Sequence, residues 1–518
     1  MLRNILLIFA LMAMLPLQNF AQNNEKTYCF EEQSVFEILE NLRSKDAEAV
    51  ADAEETLYEM AKMAGYTGDS QMRDVMRNTV VPYVEKFSGI NKAQFLVSLV
   101  PLFCTVDDVP ALMQLAENEK LADYVIRAIG DINGTAAYIL KYITRNPDNL
   151  NNKAAWAYAV GKQEIKSLEN ELISWLRGAD DQTKIDVYNA LLVIRSNEKT
   201  TKIIEKGAKK LNKSKVPENK IAGMRLLVAL NGEKTLPILY KALQNTDKYV
   251  RVEALNLIKP FANQEVVNNV VKKCKKEAAK IDVVRWLGEI KNDSQMALVI
   301  SLLSSEDSEA VQTAIRAIYK IDNPDGINAV KPMFGGSYQE VIKESLIAYG
   351  GNYRLVLDDI LKNGDDDKKL AALKVLEARP EVELSVRVKE LVYSNNKNVR
   401  DEAFKVLPLV VIQPHAEFLK ELIGACDDEY VEYVQLALKN AMKNAPEGVK
   451  DNFVSLLKYV GRDIMPRYYK VFAYFGTELC VDKLIEASIS GPDSFEAKEA
   501  LLLVDDDKFA DKINEALK

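Results

Sequence analysis

Ala254-Leu255-Asn256-Leu257-Ile258 is one copy of the short pattern that decides the fold: a small residue, a large apolar one, and further apolar positions one helical turn on. The pattern returns as Ala128-Ile129-Gly130-Asp131-Ile132, Ala159-Val160-Gly161, Ala190-Leu191-Leu192-Val193-Ile194, Ala317-Ile318-Tyr319-Lys320-Ile321, Ala403-Phe404-Lys405-Val406-Leu407 and Ala437-Leu438-Lys439. Completing the series places anchors at 128, 159, 190, 226, 254, 286, 317, 347, 372, 403, 437, 471 and 500, at intervals of 25 to 36 residues averaging 31. Nine of the thirteen anchors are alanine, and an apolar residue follows every one. A small residue lets two helices approach closely, and the large neighbour fills the groove between them. Around the anchors apolar residues recur at i, i+3, i+4 and i+7 without β-type alternation, so the chain reads as helical throughout. A period of about 30 residues built from two helices denotes an α-solenoid.

Between anchors lies a second amphipathic helix, opened by a turn or capping residue. Asn323-Pro324-Asp325-Gly326 precedes Ile327–Met333, Asn245-Thr246-Asp247 precedes Val250–Ile258, and Asn395-Asn396 precedes Val399–Leu407. Asn and Asp accept from the orphan backbone donors of a helix start, and proline is tolerated in its first turn. Ala47–Met63 reads as an amphipathic helix ahead of the repeats, and residues 22–90 as a helical N-terminal cap to an array over 91–518. Lys206–Lys220, with Gly207, Asn212 and Pro217, falls in the longest interval and reads as an enlarged loop.

Two copies carry a more specific mark. Val250-Arg251-Val252-Glu253-Ala254 and Val399-Arg400-Asp401-Glu402-Ala403 resemble the Val-Arg-x-x-Ala core of HEAT repeats, and Leu287-Gly288-Glu289-Ile290 resembles the same family's Leu-Gly-x-Ile ending. The resemblance runs from about Gln94 to the C-terminus, although most copies lack the arginine. It implies an all-α fold, an α-α superhelix in the form of a right-handed solenoid of about thirteen HEAT-like helix pairs. It also implies that Arg251 and Arg400 bond across repeats and that the anchor helices, the second of each pair, line a concave face. A looser likeness, carried by Asn91-Lys92-Ala93-Gln94-Phe95-Leu96 and Asn152-Lys153-Ala154-Ala155-Trp156, is to the helical array of secreted bacterial proteins that precedes a 3-keto-disaccharide hydrolase-like domain. No strand-rich segment follows here.

The N-terminus has the order of an export signal: Arg3, an apolar run from Ile5 to Leu17, and Asn19-Phe20-Ala21 ending on a small residue. A membrane anchor is the alternative, but thirteen residues containing Pro16 fall short of the ~20 that span a bilayer. Cleavage after Ala21 and delivery to the periplasm or cell envelope are expected. The mature chain then has 497 residues, 67 basic and 76 acidic, for a net charge of −9. That balance opposes wholesale nucleic-acid binding, which needs a basic surface to displace counterions. Cys29, Cys104, Cys274, Cys426 and Cys480 are scattered and odd in number, so they read as small core residues and not as a disulfide framework.

The chemistry-bearing motifs are few. His415 is the one histidine, which excludes a multi-histidine metal centre and leaves Cys426 and Asp427 without a nucleophile signature beside it. No phosphate-binding glycine loop occurs, so neither cofactor nor metal is expected. Asp365-Asp366-Asp367 and Asp505-Asp506-Asp507 lack the ligand spacing of a calcium loop and read as solvated turns. Tyr468, Tyr469, Phe472, Tyr474 and Phe475 read mainly as core, with sugar stacking as the functional alternative. Lys272, Lys273, Lys275 and Lys276 read as a solvated face.

One constellation points to binding. Just before the anchors stand Arg127, Tyr158, Asn189, Arg225, Glu253, Arg285 and Arg316, and two residues after the later ones stand Lys374, Lys405 and Lys439. A fixed register makes these a partly basic ladder that an acidic protein or peptide would fit, while the plain alternative is the polar side of any amphipathic helix. The expected function is therefore a non-catalytic exported scaffold that binds a protein or peptide partner. The alternatives are a helical accessory of polysaccharide utilisation, binding glycan or a glycoside-hydrolase partner, and a degenerate enzyme.

Overall fold

The computed structural model describes residues 31–517 apart from 68, 88–89, 148–149, 350, 352 and 490, so the export signal and Cys29 lie outside the described residues. Among the described residues the regular elements are all helical, and no helix is long and apolar enough to cross a membrane. The chain divides into two compact units, Met1–Ile238 and Leu239–Lys518.

All thirteen anchors fall on helices, and outer helices alternate with them. In the first unit the anchor helices Ala122–Asp131, Lys153–Lys162, Asp181–Ile194 and Pro217–Asn231 pack each on the next. Ala47–Tyr66 and Ile90–Phe103 extend that row toward the N-terminus, each accompanied by an outer helix, Glu32–Asn41 or Ser70–Tyr83. In the second unit the row runs through Lys248–Ile258, Glu277–Glu289, Ser308–Ile321, Gln339–Tyr349, Asp366–Ala378, Lys397–Val410, Val431–Met442, Tyr469–Phe475 and Ser494–Leu501. Each element buries its apolar stripe against neighbours in sequence, which is how a repeat array grows without one central core.

Two of the anchor alanines mark close backbone approaches between helices. A methyl group added to Gly130 would lie 2.6 Å from Ala159 Cα, and one added to Gly161 would lie 2.9 Å from Ala190 Cα. The glycine two residues past one anchor thus meets the alanine anchor of the next repeat, backbone against backbone. Gly130→Ala is expected to destabilise the first unit by about 1–3 kcal/mol through overpacking. Helix propensity alone predicts the opposite, a gain of nearly 1 kcal/mol. Urea denaturation decides between them, and an increased midpoint would show that the approach is not close enough to matter.

Three sequence expectations need correction. The interpolated anchor at 347 is misplaced, since Ile347 is 37% exposed while Ser345 and Leu346 are buried. The small residue of that repeat is serine, and its hydroxyl donates to the Val341 carbonyl at 2.6 Å, which removes the cost of burying it. Lys206–Lys220 is not an enlarged loop: helix Glu198–Asn212 and helix Pro217–Asn231 leave only residues 213–216 between them. Gly207 serves there as a seat for the Tyr188 ring, and Pro217 starts the next helix. The long interval reflects two 15-residue helices. Finally, Asp247 and Asn396 cap anchor helices and not the intervening ones, whereas Asn323 does cap the outer helix Pro324–Val330.

Candidate binding face and buried polar network

Anchor helices bury one face, and the ladder residues stand on the other. In the first unit Arg127 is no free cation. It donates to Asp123 at 2.9 Å and to Asp186 at 2.7 Å, reaching past the intervening helix Lys153–Lys162, and its guanidinium lies 5.1 Å from the Tyr158 ring centroid. Although burial opposes its charge, the bonds it donates to Asp186 and Asp123 hold Arg127 firmly protonated. Tyr158 donates to Asp131 at 2.8 Å, and burial together with that carboxylate pushes its hydroxyl up to about 12. Asn189 and Arg225 are exposed.

The second unit follows the same rule. Arg285 donates to Asp282 at 3.3 Å and to Glu309 at 3.0 Å, and Arg316 lies 3.8 Å from Glu344. Lys405 pairs with Glu402 at 3.3 Å, Lys439 sits 4.4 Å from the Tyr474 ring centroid, and Lys374 is exposed. The structure therefore keeps the expected register in each unit but neutralises most of its arginines with carboxylates. Those partners are 24 to 59 residues away in several cases, and local patterning cannot show them.

Arg251 and Arg400 do bond across repeats. Arg251 Nε donates to Asp282 at 2.7 Å, and its Nη1 donates to the carbonyls of Asn245 and Thr246 at 3.0 and 2.9 Å; both side chains of the pair are buried. Arg400 donates to the Tyr430 hydroxyl at 3.2 Å and to the Ser394 carbonyl at 2.9 Å. Residues 269–349 match the family model for HEAT repeats. That stretch of the all-helical array is HEAT-like. Among solved structures it is similar to Kap95p bound to RanGDP, with 10% identity, 94% of this chain and 79% of that one covered, and a TM-score of 0.43. It is also similar to yeast importin-beta, with 12% identity, 94% and 79% covered and a TM-score of 0.39. UNC-45 from Drosophila melanogaster gives 11% identity, 93% and 89% covered and a TM-score of 0.28. No curated protein matches the sequence.

Other chemistry-bearing side chains among the described residues hold structural bonds. His415 closes the short turn Gln413–His415; its Nδ1 accepts the Ile412 N–H at 3.1 Å and its Nε2 lies 3.5 Å from Ser385 Oγ. With Nδ1 occupied as an acceptor, the neutral ring carries its proton on Nε2 and donates toward Ser385. It cannot take a proton from that serine. Burial and then the Lys389 charge lower its pKa below the usual histidine value. The unfolded chain therefore binds more protons just below pH 6.5, and stability is expected to fall as pH drops through that value toward the folded pKa. His415→Gln should flatten that part of the pH profile, and an NMR titration of the single imidazole checks the direction.

Several carboxylates, of which Glu169 is buried, are similarly occupied. Glu169 accepts from the Ser196 N–H at 3.1 Å and from the hydroxyls of Ser196 and Thr200; burial would raise its pKa, but these bonds bring it below the usual range. Asp365 caps helix Asp366–Ala378 through the Lys368 N–H at 3.0 Å. Asp506 accepts the Lys508 N–H at 3.1 Å. Cys104, Cys274 and Cys480 are buried free thiols, and burial pushes the first two up to about 12. Of the C-terminal aromatics, Tyr468, Tyr469, Phe472 and Phe475 are core, and Tyr474 is partly exposed beside Lys439.

Proposed function

We propose that this chain is a non-catalytic scaffold of the bacterial cell envelope, exported by cleavage after Ala21, which captures protein or peptide segments along the exposed face of its anchor helices. The observation that carries the reading is the fixed register of polar side chains on successive packed helices, each beside a buried anchor. Such a row offers repeated contacts at regular steps, the arrangement by which an extended partner gains affinity through many small contributions. Internal ion pairs neutralise Arg127, Arg285 and Arg316, so the exposed positions Asn189 and Lys374 are the better probes. The non-catalytic part of the reading is supported by the occupation of Glu169, Asp186, Asp282 and Glu402 by internal donors.

Photo-cross-linking side chains placed singly at Asn189, Lys374 and, on an outer helix, Lys202 test the proposal in the native envelope. Adducts are expected at the first two positions and not at the third. Equal labelling at Lys202, or none at any position, would sink it.

A further inference from the structure

Lys374, Lys405 and Lys439 sit on three consecutive anchor helices, Asp366–Ala378, Lys397–Val410 and Val431–Met442, each packed on the next. Every one stands two residues past a fully buried alanine, Ala372, Ala403 or Ala437, and all three are exposed. Identical register on parallel elements brings the cations out on the same side. Among the described residues Lys374 has no carboxylate at ion-pair distance and Lys439 meets the Tyr474 ring, while Lys405 gives Glu402 one of its three N–H donors. Leu409 and Leu436, each 40% exposed, lie six residues after one anchor and one before the next. At 3.6 residues per turn both fall within about 60° of the lysines around their helices.

The step of this row selects a ligand geometry. Packed helices lie about 8–10 Å apart, so the ammonium groups recur at that interval. A polyproline II chain returns to the same side every three residues after about 9 Å. A β-strand does not match, because residues three apart point to opposite faces and residues two apart are separated by only ~6.7 Å. Apolar and aromatic shelves beside the cations, here Leu409, Leu436 and Tyr474, also suit proline rings.

We propose that the lysine row binds an acidic peptide segment in the polyproline II conformation, with a carboxylate at every third residue and proline between. This rests on the scaffold reading and names the partner's chemistry for one stretch of it. Three fluorescein-labelled peptides test it against the full chain by anisotropy near physiological salt: one with Glu at every third residue among prolines, one of equal composition with the glutamates clustered, and one helical with Glu at every seventh residue. The periodic peptide is expected to bind about tenfold more tightly than the clustered one, and K374E/K439E should remove that advantage. Equal binding of the clustered peptide, tighter binding of the helical one, or an unaffected double variant would overturn the proposal. In those cases persistent cross-linking at Asn189 would leave the scaffold reading standing, whereas loss of all cross-links removes both.

Discussion

Replacing Asp282 with alanine is expected to destabilise the second unit by about 3–5 kcal/mol, the usual consequence of leaving one member of a buried ion pair without its partner. Asp282 accepts from Arg251 at 2.7 Å and from Arg285 at 3.3 Å. Without it, Arg251 keeps the Asn245 and Thr246 carbonyls as acceptors for a charged group largely shielded from water. The reverse comparison separates charge from packing. Arg251→Met with Asp282→Leu removes both charges together and should recover a large part of the loss, because an apolar pair of similar volume carries no desolvation cost. Urea denaturation measures both. A loss below ~1 kcal/mol for Asp282→Ala would mean that the pair is not structural. Cys274 supplies a second readout, since burial, with Asp282 adding to it, raises its thiol pKa while Arg251 lowers it. Removing the carboxylate should speed alkylation of Cys274 in the folded protein.

Trp156→Ala should cost the first unit a similar ~3–5 kcal/mol. Trp156 is almost completely buried on helix Lys153–Lys162 and stacks on Tyr142 at 4.7 Å, which in turn stacks on Tyr138 at 6.4 Å. The stack joins the anchor helix to the outer helix Ala136–Arg145, so its loss detaches that helix as well as opening a cavity. Because each repeat depends on its neighbours, limited proteolysis should cut first between residues 136 and 153. Trp156→Phe keeps the stack and should lose less. Cleavage elsewhere, with Ala136–Arg145 still protected, would show that other contacts hold the helix.

The fold was legible because its determinant is local. Ala254, Ala317 and Ala403 are small where helices touch, and that requirement recurs once per repeat whatever surrounds it. Interpolation failed at Ile347, where serine takes the small position and even spacing hides it. Composition misled at Lys206–Lys220, since Gly207 and Pro217 serve a helix contact and a helix start, which a sequence shows only as breakers. The register of the candidate face was readable, but its charge state was not. Arg127 and Asp186 are 59 residues apart and Lys248 and Glu309 are 61 apart, and nothing in the intervening chain announces either pairing.

Those two pairings bear on how the molecule comes apart. In an array joined only by adjacent contacts, one pair of helices can peel away while the next stays folded. Arg127–Asp186 vaults over the helix Lys153–Lys162, and Lys248–Glu309 vaults over Glu277–Glu289. The second is solvent-exposed and adds little, but Asp186 is nearly buried, so the first is the stronger tie. Pulled from the N-terminal side, the helices from Ala122 to Ile194 should yield as one block, giving a single long extension where independent repeats would give a staircase of short ones.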